Sequence, residues 1–263
     1  MEIIDISWVQ LGIGFLILLL PAWVLWKYRT GLNTKLLTAS IRMVLQLLFV
    51  GYYLEYLFDY DNAWINAAWI LVMVLVADFA TIDRSELKRK ASVLIPVFGA
   101  TFLGIIVIDL FFLEAVIQLP KLLAAQYTIP ITGMVLGNCL RSNVIGINAF
   151  YYSLKEQKER YQYYLACGAS RAEALHSFMG QALQKSANPT LATMATIGLV
   201  SLPGMMTGQI LSGSSPMVAI KYQIMIMVAI FSGTVLSVYL SILFTNFFVF
   251  KDTDMLDESI LKD

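Results

Sequence analysis

Apolar positions along the chain gather into long runs instead of alternating with polar ones. Seven stretches reach the roughly 20 mostly apolar residues that a spanning helix needs: about 6–26, 36–58, 62–81, 92–117, 127–152, 187–211 and 217–250. The pattern predicts an all-α, polytopic membrane protein of about seven transmembrane helices, or six if the sixth run re-enters or the first inserts weakly. Trp8, Trp23, Trp26, Trp64 and Trp69 fall near the ends of runs, where amphipathic rings anchor at the interface. Most connections are short, as in DYDN, PKLLAAQ and SGSSP. The exception, from about 153 to 186, is long enough to fold. The reading is one transmembrane domain over 1–263 with a single structured loop.

That loop has its own pattern. SLKEQKERYQYYLAC reads as a helix that Gly168 ends, because glycine tolerates the left-handed turn after a helix. Ser170 and Glu173 then form an S-x-x-E capping box. Behind it, Leu175, Phe178, Met179, Ala182 and Leu183 recur at i, i+3, i+4, i+7 and i+8, an amphipathic stripe. Such a stripe either lies on lipid or inserts into a groove of a partner.

Charge sets the orientation. With the N-terminus outside, the inner segments hold fourteen of the 18 basic residues, including Lys27 and Arg29, the Arg84–Lys90 cluster, Lys155 to Lys185, Lys251 and Lys262. The outer side then keeps only Lys121 and Lys221, and Arg42 and Arg141 lie inside spans. The C-terminus is therefore expected to be cytoplasmic, and the chain is expected to be a multi-pass protein of the cell membrane. Acidic Glu2 and Asp5 precede the first run, which argues for a retained span over a cleaved signal. The composition agrees, with 59% hydrophobic and 14% charged residues. A net charge of zero gives no basic face for nucleic acid. Two cysteines give no disulfide framework, and a single histidine rules out a His-rich metal site within one chain.

Polar groups inside the spans mark candidate chemistry. Arg141, near the centre of the fifth run beside Asn138, costs about 2.5–3.5 kcal/mol at mid-bilayer unless it faces protein or water. It either lines a pathway or pairs with an acid on another helix, Asp109 being the best match in depth. Asp109 and Glu114 are hard ligands suited to a cation, but five residues apart they point about 140° from each other on one helix. Asp78 and Glu55, near run ends, are expected at the interface. Pro203 and Gly204 can break the sixth span and free backbone carbonyls. Met205 and Met206 beside them are either core filler or soft-metal ligands. The G-x-x-x-G spacings at Gly133–Gly137 and Gly204–Gly208 permit close helix contact.

LACGASRAEALHSFMGQALQKSANP resembles the cytoplasmic EAA-type loop of ABC-transporter permeases, which docks on an ATPase subunit. The matching positions are Ala166, Gly168, Ala169, Ser170, Ala174 and Phe178. Tyr164-Leu165-Ala166 replaces the Glu-Ala-Ala triplet, and the usual Leu-Pro after the helix is absent. PITGMVLGNCLRSN and LPGMMTGQILSGSSPMVAIKYQI extend the resemblance to Fet-type iron-export permeases and plant aluminium-tolerance permeases. It implies an ATP-driven transporter whose membrane subunit is this chain, with Arg171, Glu173 and Leu175 joining the docking set. It also implies a homodimer, a separate ATP-binding subunit carrying ATP and Mg, and no cofactor on the chain itself. The cargo expected is iron or another metal ion, or else a nucleotide-sugar or other anion. Consistently, no G-x-x-x-x-G-K-[ST] occurs. H-E-x-x-H and G-x-S-x-G are also absent, which argues against an intramembrane hydrolase. A gradient-driven secondary transporter or a membrane scaffold remains open.

Overall fold

In the computed structural model, residues 5–121, 123–250 and 254–262 are described. Lys251 and Glu2, which enter the charge reading, lie outside them. The described residues form an all-α protein, divided by their contacts into two compact units. Met1–Asp61 with Leu211–Gly213 make one, and Asn62–Ile210 with Ser214–Asp263 the other.

The first unit is a helical hairpin. Ser7 and Gln10 close a reciprocal capping box ahead of α1 (Trp8–Phe15). A 3-10 turn at Leu16–Leu18 leads into α2 (Leu19–Lys27). Pro21 explains that turn, because its missing N–H leaves the Ile17 carbonyl without its helical partner. After Gly31, α3 (Asn33–Tyr60) runs back along α2. Both arms present apolar side chains outward, Trp8, Leu20, Trp26 and Phe49 among them, as helices in lipid do.

The second unit is a bundle around α10 (Pro216–Val249). This helix is apolar around its whole circumference and is packed by α5 (Ala91–Leu110), α6 (Ala125–Glu156) and α8 (Arg171–Thr196). α4 (Ala63–Arg84) packs on α5 and α6. A π-helical segment, Phe111–Val116, extends α5. The α6–α10 approach is set by glycine. A Cβ on Gly146 would stand 2.5 Å from Val238 Cγ1, and one on Gly233 would stand 2.8 Å from Val135 Cγ1. The G-x-x-x-G glycines do less: a Cβ on Gly133 would meet only the Met73 methyl, and Gly137, Gly204 and Gly208 have open space.

Among the described residues, five helical stretches are long and apolar enough to cross a membrane: Trp8–Lys27, Asn33–Tyr60, Ala63–Arg84, Ala91–Val116 and Pro216–Val249. The protein is thus a polytopic helical membrane protein. The two remaining runs differ from the sequence reading. α6 is long enough, but Asn138, Arg141, Ser142 and Asn143 dilute its apolar character. The run 187–211 is not one helix. α8 stops at Thr196, residues 197–203 are non-helical, and α9 (Gly204–Leu211) begins just after Pro203. Gly198 takes φ +88°, and Pro203 disfavours helical backbone at the residue before it. The break foreseen at Pro203–Gly204 is therefore wider, starting at Ile197, six residues before Pro203.

At one end of the bundle the loop folds as helix, glycine turn, helix, with shifted bounds. Residues 153–156 finish α6, and only Lys158–Ala166 form α7. The segment after α10 returns as a strap over this end. Leu256, Ile260 and Leu261 pack into the cluster formed by Phe150, Tyr161, Leu175 and Phe178. Tyr161 Oη donates to the Asp254 carbonyl (2.7 Å) and Lys158 pairs with Glu258 (2.6 Å). The Lys262 ammonium donates to the carbonyls of Ile82 (3.1 Å), Asp83 (2.9 Å) and Ser85 (2.5 Å), capping the C-terminus of α4.

Candidate functional site

Within the second unit a cavity of about 400 Å³ opens beside the broken span. Each wall is one face of a helix. α6 gives Met134, Asn138, Arg141, Ser142 and Ile145, spaced by three and four. α8 gives Pro189, Thr190 and Thr193, and α10 gives Gln223, Ile226, Met227 and Ile230. The non-helical segment and the start of α9 close it with Ile197, Ser201, Pro203, Gly204 and Met205.

Arg141 is the one charged residue in that lining and sits midway along α6, exposed to the cavity. Among the described residues it makes no hydrogen bond or ion pair. The pairing with Asp109 that depth suggested does not form. Asp109 lies on the buried face of α5, 7% exposed, and accepts from Thr132 Oγ1 at 2.5 Å. Asn138 donates through Nδ2 to the Met134 carbonyl (2.8 Å), which leaves its Oδ1 free to face a ligand. Thr193 Oγ1 donates to the Pro189 carbonyl (3.0 Å). Ser142 is tied away, donating to the Ser186 carbonyl across the α6–α8 seam (3.3 Å).

Of the pathway residues read from sequence, Arg141, Asn138, Pro203, Gly204 and Met205 meet in this cavity. Met206 is buried and faces an adjoining apolar cavity of about 480 Å³, whose walls include Met194, Leu202, Ile220, Ile224 and Val228. The two cavities share Ile197, Pro203, Gln223 and Met227. Asp109 and Glu114 are absent from both linings, and Glu114 lies exposed on the π-helical segment. The cavity is built by α6, α8, α9, α10 and the non-helical segment before α9, and no α5 residue lines it.

Sequence reasoning missed a buried polar layer behind the cavity. Asp78, expected at the interface, is 1% exposed. Its Oδ1 accepts from Thr101 Oγ1 (2.9 Å), and Asn143 Nδ2 reaches Thr101 Oγ1 (3.4 Å) and Ser237 Oγ (2.9 Å). This layer joins α4, α5, α6 and α10. A signal existed. Asp78 shares a helical face with Val74, Ala77, Thr81 and Ile82, and in lipid the face carrying small and polar residues turns inward. Glu55 is exposed on α3.

The helix–turn–helix holds the second set of candidates. Gly168 takes φ +90°, and its N–H and that of Ala169 close the end of α7 on Leu165 O (2.9 Å) and Tyr164 O (3.0 Å). The Ser170–Glu173 box is complete, with Glu173 Oε2 accepting from Ser170 N (2.8 Å) and Oγ (2.7 Å). Those hydrogen bonds from Ser170 hold the Glu173 carboxyl below the usual range. The apolar stripe is not presented to a partner. Ala174, Leu175 and Phe178 are buried against Tyr161, Phe250 and Ile260 of the same chain. Arg171 also turns inward, 3.4 Å from Asp254 and over the Phe250 ring. The sequence pattern fixed which face is apolar, not which surface covers it. What remains outward is a small-residue surface: Ala166, Gly168, Ser170, Ala172 and Glu173, with Ala169 half-buried. α8 then runs without interruption from this turn to Thr190 and Thr193 in the cavity wall.

Comparison with known proteins agrees with this membrane architecture. A UPF0014 membrane protein of Synechocystis sp. is 34% identical, covering 89% of this chain and 90% of its own length. The protein of Escherichia coli named "Probable iron export permease protein FetB" is 28% identical over 88% of this chain and 89% of its own. Protein ALUMINUM SENSITIVE 3 of Arabidopsis thaliana is 31% identical, covering 81% and 77% respectively. No solved structure matches the chain. The model described as Uncharacterised protein family (UPF0014) matches residues 8–250, and the chain, a multi-pass membrane protein, belongs to that family.

Proposed function

We propose that this chain is the membrane-spanning subunit of an ABC-type transporter, working as a homodimer with a separate subunit that binds ATP and Mg. Its N-terminus lies outside and the α7–α8 turn faces the cytosol. The observation that carries the reading is α8. One continuous helix, with Pro189 inside it where it reaches the cavity wall, joins that wall to the exposed glycine turn, so displacement at one end is passed toward the other. The small outward residues of the turn suit close approach by another protein, and the buried stripe anchors the helix to the bundle.

For cargo, the name of the Escherichia coli relative supports export of iron or another metal ion. The cavity favours a second reading, an anionic cargo, because its only charged lining residue is a cation with no partner among the described residues. Co-purification with the cognate ATP-binding subunit tests the assembly. Ala172→Arg and Gly168→Arg are expected to abolish binding and stimulated ATP hydrolysis. Intact complexes with full hydrolysis in both variants overturn the docking reading. Cargo flux by this chain alone, with no ATPase present, makes it a secondary transporter.

A further inference from the structure

The Arg141 cavity and its apolar neighbour form a two-part surface whose chemistry narrows the ligand. The polar part offers a guanidinium with five N–H donors, the Thr190 hydroxyl and the Gln223 amide beside the Asn138 Oδ1 acceptor, and its lining holds no carboxylate. That donor set matches an oxyanion, which guanidinium binds with two parallel hydrogen bonds, and it repels a bare cation. The adjoining cavity, walled by Met194, Leu202, Met206, Ile220, Ile224 and Val228, has Gln223 as its only side chain with an N–H or O–H group. Thioethers and branched aliphatics there fit hydrocarbon of varied shape. Four shared residues put the two parts side by side.

We propose that these cavities together bind an amphiphilic anion, its oxyanion head on Arg141 and its apolar remainder against the wall of Met206 and Ile224. The head position follows from the lone unpaired charge at the midpoint of α6, where an uncompensated cation is costly and a bound anion offsets the cost. The tail position follows from the adjoining apolar wall. The proposal deepens the anionic-cargo reading and rests on it for its role in transport. Binding itself needs no ATPase subunit, so it is measured on this chain alone and fails or holds independently of the docking reading.

The test is titration of the purified full chain in a non-ionic detergent with hexyl phosphate, inorganic phosphate and hexyltrimethylammonium. Hexyl phosphate is expected to bind at least about tenfold tighter than inorganic phosphate, since each buried methylene contributes about threefold to fourfold. The ammonium probe is expected not to compete. Arg141→Gln is expected to weaken hexyl phosphate about tenfold to a hundredfold, with Arg141→Lys retaining part of the affinity. Ile224→Gln, at an exposed position, is expected to shrink the preference for hexyl over inorganic phosphate and leave inorganic phosphate unchanged. It also carries the test if Arg141→Gln does not fold. Equal binding of both phosphates, competition by the ammonium probe, or full affinity in Arg141→Gln overturns the proposal. So does an Arg141→Gln chain whose only change is dissociation of the dimer, which makes the arginine a seam residue.

Discussion

Gly233 carries no chemistry, yet its missing side chain admits α6. A methyl group there would stand 2.8 Å from Val135 Cγ1, inside a buried seam that has little room to relax. Gly233→Ala is therefore expected to destabilise the protein by about 1–3 kcal/mol, as overpacking does. Gly137→Ala, with nothing within 4 Å, is expected to be neutral. Thermal melting in detergent checks the pair, and equal melting temperatures would refute the close-approach reading. Glu173 gives a pH-dependent expectation. Ser170 holds its carboxyl below the usual range, so the box stabilises α8 fully above the ordinary glutamate pKa. That contribution is lost as pH falls through the lowered folded value. Glu173→Gln is expected to flatten this acid limb, and Ser170→Ala to cost about 0.5–2 kcal/mol at neutral pH; circular-dichroism melts against pH read both. These residues show what the sequence discloses locally. The capping box is spelled by four neighbouring residues, whereas the Gly233–Val135 contact joins positions nearly a hundred apart and has no local signature.

At the scale of elements, the ends of helices were legible and their partners were not. Gly168, Ser170 and Pro203 announce a turn, a start and a break because each acts through its own backbone. The stripe of Leu175 and Phe178 was equally legible as apolar, but apolarity is non-directional and does not name what covers it. The chain's own strap covers it, and no pattern in the sequence marks that strap as a cover. The three residues it adds to the core, Leu256, Ile260 and Leu261, are too few to make a periodic pattern. Lys262 is the fastening at its far end, donating to three carbonyls at the end of α4. Lys262→Met keeps the stem and removes the donors. It is expected to destabilise the protein by about 1–2 kcal/mol and to expose 254–262 to limited proteolysis. A variant as resistant as the parent would mean that the strap's apolar residues and its bonds from Tyr161, Lys158 and Arg171 hold it without the Lys262 ammonium.

For the whole molecule, orientation decides whether α8 can take work from a cytosolic ATPase. The charge asymmetry of the sequence argues for a cytosolic α7–α8 turn, and the fold supplies a reporter for testing it. Cys167 is free and exposed at the end of α7, whereas Cys139 is buried inside α6. The sequence holds two cysteines, so a membrane-impermeant maleimide has one accessible target. Cys167 is expected to label in inside-out vesicles and to stay unmodified in intact cells, and Cys167→Ser is expected to abolish the signal. Adding the ATP-binding subunit to the vesicles is expected to slow labelling, because Cys167 borders the small-residue surface proposed to dock. Labelling from outside would put the turn on the wrong side of the bilayer and end the ATP-driven reading, while leaving the Arg141 cavity and its anion chemistry as they stand. Cytosolic labelling that the partner does not slow would separate the two claims the other way, keeping the orientation and moving the docking surface elsewhere on the chain.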